Sequence, residues 1–278
     1  MSQFKEKKPV LILGGTGKTG SRVAAQLQDR GLAVRVASRS SDAYFDWNDT
    51  TSWAPVLEGV SAVYITYQPD LAVPGAVEAV RSFTELALKA GVRRIILLSG
   101  RGEEEAQRAE QVLQGSGADW TIVRASWFAQ NFSESFLYDA VLSGDVALPL
   151  GEIKEPFVDA DDIADVVVAA ITDAAHIGQE YELTGPRLIS FTDVIAEIAE
   201  ASGRPITYRK IPIEDYAAFL EKNELPPEYV SLVLYLFTTV MDGRNEYLTD
   251  GVKRALGREP RDFTEYVRKT AATGVWGL

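Results

Sequence analysis

Alternating strand and helix patterns predict an α/β protein built on a doubly wound parallel sheet. Short apolar runs recur along the first half of the 278-residue chain, as they do in buried parallel strands. Amphipathic stretches with helical spacing lie between these runs, which is the order of βαβ units. Hydrophobic residues make up 46% and charged residues 24% of the chain. These ordinary globular values exclude a disordered chain or a fibre.

The first half of the chain carries the predicted strands of this sheet, with helices between them. Val10–Leu13 is the first strand, because four apolar residues run directly into glycine. The helix that follows places Val23, Ala24 and Leu27 at helical spacing. The other predicted strands are Leu32–Ala37, Val60–Thr66, Val92–Leu98 and Trp120–Val123. The predicted helices are Thr19–Gln28, Ser52–Leu57, Gly75–Ala90 and Glu103–Gln114.

Beyond about Arg124 the pattern becomes less regular and predicts a smaller lobe. Its predicted helices are Trp127–Ser143, Ala160–Ile171, Ser190–Ser202 and a stripe from Tyr229 to Val240, and its predicted strands are Val146–Leu148 and Glu180–Leu183. No low-complexity linker or internal repeat separates the halves. We therefore expect a nucleotide-binding domain over residues 1–150 and a smaller α/β substrate lobe, partly interleaved with it, over residues 151–278.

Composition excludes several classes of function. The chain has no cysteine and one histidine, His176, which removes thiolate chemistry and argues against a histidine triad or a multi-histidine zinc site. We therefore expect no metal. A formal net charge of −12 without a basic stripe disfavours nucleic acid as a partner. No run of ~18 apolar residues and no apolar signal region occur, so we expect no membrane span and a cytoplasmic protein.

The turn after the first strand has the glycine pattern of a dinucleotide-binding site. Gly14–Gly20 reads GGTGKTG and contains G-x-G-x-x-G between a strand and a helix, the context that such a site requires. A P-loop is excluded, because Ile12 stands where that motif needs its first glycine. The predicted phosphate-binding residues are Gly14, Gly15, Thr16, Gly17, Lys18, Thr19 and Gly20.

An arginine at the end of the second strand predicts NADP(H) as the cofactor. NAD sites carry an acidic residue about 20 positions beyond the glycines, where this chain has Arg39 followed by Ser40. A guanidinium can form a charge-assisted fork with a 2′-phosphate, and a serine hydroxyl can add to it. A solvated arginine at a strand end is the competing interpretation, and the missing acid makes it the weaker one.

Motifs through most of the chain carry a family resemblance. They are GGTGKTG, ASRSS at Ala37–Ser41, FDWND at Phe45–Asp49, AVYITYQP at Ala62–Pro69, LLSG at Leu97–Gly100, WTIVRASWFAQNFSE at Trp120–Glu134, PFVDADDIADV at Pro156–Val166 and YELTGP at Tyr181–Pro186. The chain resembles the NmrA-like atypical short-chain dehydrogenase/reductases. Within them it is most similar to bacterial relatives of the ergot-alkaloid reductases of the agroclavine/festuclavine dehydrogenase type. This resemblance implies a Rossmann-like fold with a smaller C-terminal substrate lobe.

The resemblance also implies roles for individual residues. Asp46 and Trp47 would border the adenine of the cofactor. Thr66, Tyr67 and Gln68 would follow the nicotinamide ribose and the diphosphate, and Ser99 would end a strand beside them. The residues expected to face the substrate are Trp127, Phe128 and Asn131.

One absence shapes the expected mechanism. The Tyr-x-x-x-Lys acid/base pair of standard short-chain dehydrogenases occurs nowhere in the sequence, which disfavours alcohol oxidation. One interpretation is an NADPH-dependent reductase of a small imine, quinone or enone, with Ser99 or Tyr67 as weak proton donors. The other is a non-enzymatic NADP(H)-binding redox sensor that acts on a protein partner. The reductase is the preferred interpretation. We expect a monomer or a homodimer that acts on a small-molecule substrate.

Overall fold

The structure, a computed structural model, describes residues 8–277 and divides the chain into two compact units. The first unit consists of the described residues up to Arg124 together with Asp161–Tyr181 and Arg254–Gly257, and the second of Ala125–Ala160, Glu182–Lys253 and the described residues from Arg258 onwards. Each unit is therefore assembled from several stretches of the chain. The domain boundary near residue 150 stays a prediction.

A seven-stranded sheet organises the first unit. The strands of the described residues are β1 Val10–Leu13, β2 Val34–Ser38, β3 Ala43–Tyr44, β4 Ala62–Ile65, β5 Arg94–Gly100, β6 Asp119–Ala125, β7 Asp145–Leu148, β8 Lys154–Glu155, β9 Gln179–Leu183, β10 Ile189–Ser190 and β11 Thr207–Lys210. The large sheet has the order β3-β2-β1-β4-β5-β6-β9, and its pairings from β3 to β5 are all parallel. The strand order reverses between β1 and β4, and sheets of this kind bind ligands at the carboxyl ends of the strands beside such a point.

Helices connect these strands and form much of the second unit. The α-helices of residues 8–277 are α1 Lys18–Asp29, α2 Trp53–Leu57, α3 Ala76–Lys89, α4 Glu104–Gln114, α5 Tyr138–Ser143, α6 Ala160–Thr172, α7 Phe191–Ser202, α8 Ile213–Lys222, α9 Pro227–Tyr235, α10 Gly251–Leu256 and α11 Phe263–Ala272. Within this described stretch, no helix combines the length and the apolar character that a membrane crossing needs.

The core of the first unit follows from its apolar strands. Strands β1 and β4 are buried at every residue, as expected for strands covered on both faces. Leu11 and Leu13 of β1 belong to the same buried cluster as Phe83 of α3 and Leu113 of α4. The predicted Rossmann-like doubly wound sheet is confirmed.

The second unit combines helices with two small sheets. Strand β7 pairs in parallel with β11, and β8 pairs antiparallel with β10. Its core contains the rings of Phe132, Phe157 and Phe191, with centroids 5.6 Å apart for the first two and 5.3 Å apart for the last two. Edge-to-face contacts of this kind stabilise a core beyond the apolar area that they bury.

The prediction of one helix over Trp127–Ser143 is wrong. Ala129–Phe132 forms a 3₁₀ turn, and α-helix begins only at Tyr138. The N–H of Val158 donates to the carbonyl of Trp127, and the N–H of Ala129 donates to the carbonyl of Val158, both over 2.9 Å. These bonds pair the start of the segment with another part of the chain, so its backbone groups are not available to a helix.

Two other helices of the second unit agree with the sequence pattern. At the start of α7 the Asp193 N–H donates to Ser190 Oγ over 3.2 Å, and the Ser190 hydroxyl donates to Asp193 Oδ2 over 2.8 Å. Ser190 is therefore the capping residue of α7. The helix that contains the apolar stripe begins at Pro227 and ends in a π-helical turn over Leu236–Val240.

Candidate cofactor site

The turn between β1 and α1 requires glycine because there is no space for side chains. Gly14 has a φ of +63°, and a Cβ there would overlap the hydroxyl of Thr66. A Cβ at Gly15 would lie 2.6 Å from Val36 Cγ1 of β2. A Cβ at Gly20 would lie 2.8 Å from the Cα of Gly15. These glycines let α1 and the turn pack closely against the sheet, and they leave a cradle lined by backbone.

The amino end of α1 gives this cradle a positive character. Gly17 is the N-cap residue, no side chain caps the helix, and its first turn contains no acidic residue. The N-terminal amides of a helix carry partial positive charge and suit a phosphate. A Cβ at Gly17 would come within 3.2 Å of the Gly14 carbonyl oxygen, so a branched side chain would fill the cradle. The residues present therefore fit a pyrophosphate.

Within the glycine turn, the side chain of Thr19 is directed into the interior. It is 4% exposed, and its Oγ1 accepts a hydrogen bond from the Tyr64 hydroxyl over 3.0 Å. Burial raises the pKa of Tyr64, so this hydroxyl keeps its proton and remains a donor. Thr19 is left with its backbone N–H for a phosphate, whereas Thr16 is exposed and Lys18 is half-buried.

Arg39 and Ser40 lie in the turn after β2, and both are exposed. The Arg39 guanidinium donates from Nη2 to Gln68 Oε1 over 3.3 Å, which brings together two residues that were predicted separately. Serine hydroxyls shape the turn, since Ser41 Oγ accepts from the Ser38 N–H over 2.7 Å and Ser38 Oγ accepts from the Ser40 N–H over 3.2 Å. The guanidinium therefore stands at the surface on an ordered turn.

The residues after β4 lie beside the glycine turn. The Thr66 hydroxyl donates to the Leu13 carbonyl over 3.0 Å, and the Trp47 indole N–H donates to the Thr66 carbonyl over 3.0 Å. The rings of Trp47 and Tyr67 have centroids 4.7 Å apart. Burial raises the pKa of Tyr67, so its hydroxyl is a weaker acid than a free tyrosine.

Asp46 and Trp47, the predicted adenine neighbours, have different surroundings. Trp47 packs in the core, with ring centroids 5.0 Å from Phe45 and 5.6 Å from Trp53. Asp46 is half-buried, and its carboxylate accepts the Asn48 N–H over 3.0 Å. The Trp47 indole therefore holds the Thr66 carbonyl in place. Contact with an adenine stays a prediction for Asp46 and Trp47.

Ser99 is the penultimate residue of β5 and is 4% exposed. Its hydroxyl has no hydrogen-bond partner among residues 8–277. A buried hydroxyl without a partner is costly, and such groups call for an explanation, of which a bound ligand is one.

The residues predicted to face a substrate belong to the second unit. The Trp127 ring has its centroid 5.6 Å from Phe237 and 6.1 Å from Phe136. Phe128 forms an isolated bridge with Val158, and Asn131 is half-buried in the 3₁₀ turn. Trp127 is therefore part of an aromatic cluster, and substrate contact stays a prediction for the residues Trp127, Phe128 and Asn131.

Sequence reasoning missed a pair of carboxyl groups in the first unit. Asp70 follows β4 and Glu103 follows β5, and their side chains are hydrogen-bonded to each other. Burial is the largest effect on both groups and raises the pKa of each, that of Glu103 well above its usual range. The available signal was an acid shortly after each of two successive strands, since the carboxyl ends of parallel strands meet at one edge.

Comparisons with known proteins assign the family. A family model described as NAD(P)H-binding matches residues 14–174. An uncharacterised oxidoreductase of Bacillus subtilis, YesF, is 31% identical over 98% of this chain and 99% of its own length. Agroclavine dehydrogenase of Claviceps fusiformis is 31% identical over 93% of this chain and 96% of its own. The chain belongs to this NAD(P)H-binding family, and the predicted resemblance is confirmed.

Solved structures support the same fold. The NADPH-dependent quinone oxidoreductase QOR2 of Escherichia coli, solved with NADPH, has a TM-score of 0.73 at 22% identity and covers 94% of this chain and 99% of its own. The negative transcriptional regulator NmrA, solved with NAD, has a TM-score of 0.70 at 16% identity and covers 98% of this chain and 100% of its own. With family and fold established, the predicted class of NAD(P)H-dependent oxidoreductase is confirmed.

Proposed function

We propose that this chain is a reductase that prefers NADPH and transfers hydride to a small imine, quinone or enone. The observation that carries the cofactor preference is Arg39, an exposed guanidinium on an ordered turn where NAD sites have a carboxylate. In this proposal Arg39 and Ser40 hold the 2′-phosphate, and the backbone of the glycine turn holds the pyrophosphate.

The substrate class is proposed from what the chain lacks and from what its relatives act on. Helix α4, which follows the strand that contains Ser99, has neither tyrosine nor lysine. Such a site suits acceptors that become reactive without a strong acid/base pair. Relatives named for agroclavine, for azo compounds and, among solved structures, for quinones are consistent with electron-poor, conjugated acceptors.

The mechanism assigns binding and orientation to this chain's residues. The bound cofactor supplies hydride. Gly14–Gly20 and Arg39 would fix its phosphates, and Thr66, Tyr67 and Gln68 would direct its nicotinamide end towards the carboxyl ends of β4 and β5. Ser99 or Tyr67 would donate a hydrogen bond to the acceptor. Orientation of this kind contributes to the rate by making the reaction effectively intramolecular.

Calorimetric titration with NADPH, NADP⁺, NADH and NAD⁺ tests the cofactor, and loss of reduced-nicotinamide absorbance with cyclic imines, quinones and enones tests the chemistry. We expect tighter binding of NADPH than NADH and turnover of at least one acceptor class. Binding that depends on redox state, without turnover of any class, would favour the redox sensor, which the missing Tyr-x-x-x-Lys pair also suits.

A further inference from the structure

The Asp70–Glu103 pair stands at the ends of β4 and β5, the strands whose last residues are proposed to direct the nicotinamide. Asp70 lies two positions beyond Gln68, and Glu103 lies four positions beyond Ser99. Glu103 is 6% exposed, whereas Asp70 is half-buried and accepts the Ala72 N–H over 2.8 Å. The pair therefore has an interior member and a member nearer the surface.

The position of the Glu103 side chain is built into the chain. Glu103 is the N-cap residue of α4, yet its side chain makes no capping hydrogen bond. It folds back over Gly100 instead, where a Cβ would overlap its carboxyl group. Glu103 Oε2 has no hydrogen-bond partner among the described residues. The carboxyl group thus gives up a favourable capping interaction and keeps one oxygen unpaired.

The charges around Glu103 favour its neutral form. Burial acts first, followed by the charge and hydrogen bond of Asp70 and the charge of Glu110, and each raises the pKa of Glu103. Glu110, on α4, is ion-paired with Arg124 of β6, which also contacts Glu180. Arg101, in the same loop as Glu103, is buried as well, and its positive charge acts in the opposite direction to the two carboxylates. Two carboxyl groups in hydrogen-bond contact share a proton, because both cannot ionise at low cost.

We propose that Glu103 is the proton donor of the reductase and that Asp70, its hydrogen-bonded neighbour, is the positioning residue that holds its carboxyl group in place. This inference rests on the proposed function. Hydride adds to the electrophilic atom of the acceptor, the π electrons move to its oxygen or nitrogen, and that atom takes the proton of Glu103. Glu103 is left as a carboxylate and regains a proton from solvent. Quinones, enones and azo compounds need this proton, whereas an iminium ion becomes a neutral amine without it.

The proton itself can be observed without cofactor or substrate. Infrared spectroscopy at pH 7 should show the C=O stretch of a protonated carboxyl group that Glu103→Gln removes. Glu104→Gln, which changes an exposed neighbour on the same helix, should leave the band in place. Gly100→Ala should displace the flexible Glu103 carboxyl while keeping both acids, and should weaken or shift the band. Absence of the band from the wild-type protein would overturn the inference whatever the protein reduces.

Kinetics then test the use of that proton. Glu103→Gln should lower kcat/KM for a quinone or enone by about 10²-fold, with little change for a cyclic iminium ion or for NADPH affinity. Asp70→Asn should retain activity but move the alkaline fall of kcat/KM to lower pH, because Glu103 loses the neighbour that raises its pKa. Glu104→Gln should change neither kcat/KM nor the pH at which kcat/KM falls.

The outcomes separate this inference from the proposed function. Turnover of quinones at the wild-type rate by Glu103→Gln would reject Glu103 as the donor and leave the reductase assignment intact. Equal losses with quinone and iminium acceptors would also reject it, since a loss of proton donation must spare the iminium ion. Failure of the wild-type protein to bind NADPH, or to reduce any acceptor, would reject both proposals.

Discussion

Two regions at the carboxyl edge of the first unit's sheet differ in how they are built. The phosphate end, at β1 and β2, consists of backbone amides and an exposed Arg39, and consecutive residues form most of it. The acid end, at β4 and β5, consists of Asp70 and Glu103, which meet only because the two strands are neighbours. One region binds by local geometry, and the other depends on tertiary contact and burial.

The largest effect is expected at the phosphate end, from Gly17→Val. The new Cβ would stand within 3.2 Å of the Gly14 carbonyl oxygen, and its two methyl groups would occupy the cradle proposed for the pyrophosphate. We expect NADPH binding to fall by at least about 100-fold, a loss of roughly 3 kcal/mol or more, measured by calorimetric titration.

A matched control is Gly115→Val at the end of α4, where φ is negative and the nearest atom to an added Cβ lies 3.4 Å away. It should bind NADPH normally. Circular dichroism should show that both variants are folded. Wild-type affinity in a folded Gly17→Val protein would mean that the glycine turn is not the binding site.

The next-largest effect, also at the phosphate end, is a change in the preference for NADPH over NADH. Arg39→Asp removes the proposed partner of the 2′-phosphate and adds a carboxylate that can accept from a ribose hydroxyl. A charge-assisted hydrogen bond contributes about 1.5–3 kcal/mol, so the preference for NADPH over NADH should fall by roughly 10–100-fold. The ratio of the two dissociation constants measures it.

Arg81→Asp makes the same charge change on the exposed face of α3 and controls for net charge. It should leave the ratio of the two dissociation constants unchanged. A ratio that Arg39→Asp does not alter would remove Arg39 from the account of NADPH preference, although the glycine turn could still bind the pyrophosphate.

The comparison also explains which features the sequence could predict. The glycine turn, α1 and the buried strands β1 and β4 depend on residues close together in sequence, so the local sequence pattern is sufficient to predict them. Strand β11, with the polar sequence TYRK and mostly exposed side chains, has no apolar run to mark it. The 3₁₀ turn at Ala129 depends on pairing with the distant Val158.

The acid end was missed for a related physical reason. Each of its residues looks like an ordinary charged side chain in a loop when the sequence is read alone. Their burial, their mutual hydrogen bond and the space above Gly100 exist only once β4 and β5 lie side by side. A spacing motif in the sequence cannot predict a pair of residues that meet only because two strands are neighbours in a sheet.

At the acid end, a smaller effect concerns stability against pH. The unfolded chain loses the Glu103 proton near pH 4.3, whereas the folded protein keeps it to higher pH because its pKa is raised. Between those values the folded state binds more protons, so the free energy of unfolding decreases as pH rises. Glu103→Gln removes this loss. Each unit of raised pKa is equivalent to about 1.4 kcal/mol, or roughly 2–4 °C in Tm.

Thermal unfolding should therefore show Glu103→Gln more stable than the wild type at pH 8, with the difference shrinking towards pH 4. Glu104→Gln, an exposed substitution, should follow the wild type across the same range. A constant difference at all pH values would mean that Glu103 is not held protonated in the folded protein.

The smallest effect tests whether the two regions are structurally linked through Thr19. Tyr64 of β4 is fully buried, and its hydroxyl donates to Thr19 Oγ1 in α1 over 3.0 Å. Tyr64→Phe removes this bond at the cost of about 1 kcal/mol of stability, readable as a lower midpoint in urea. Because Thr19 is left with its backbone for the phosphate, NADPH affinity should stay nearly unchanged. A marked loss of affinity in the folded variant would show that the Thr19 side chain, held by Tyr64, helps to set the geometry of the cradle.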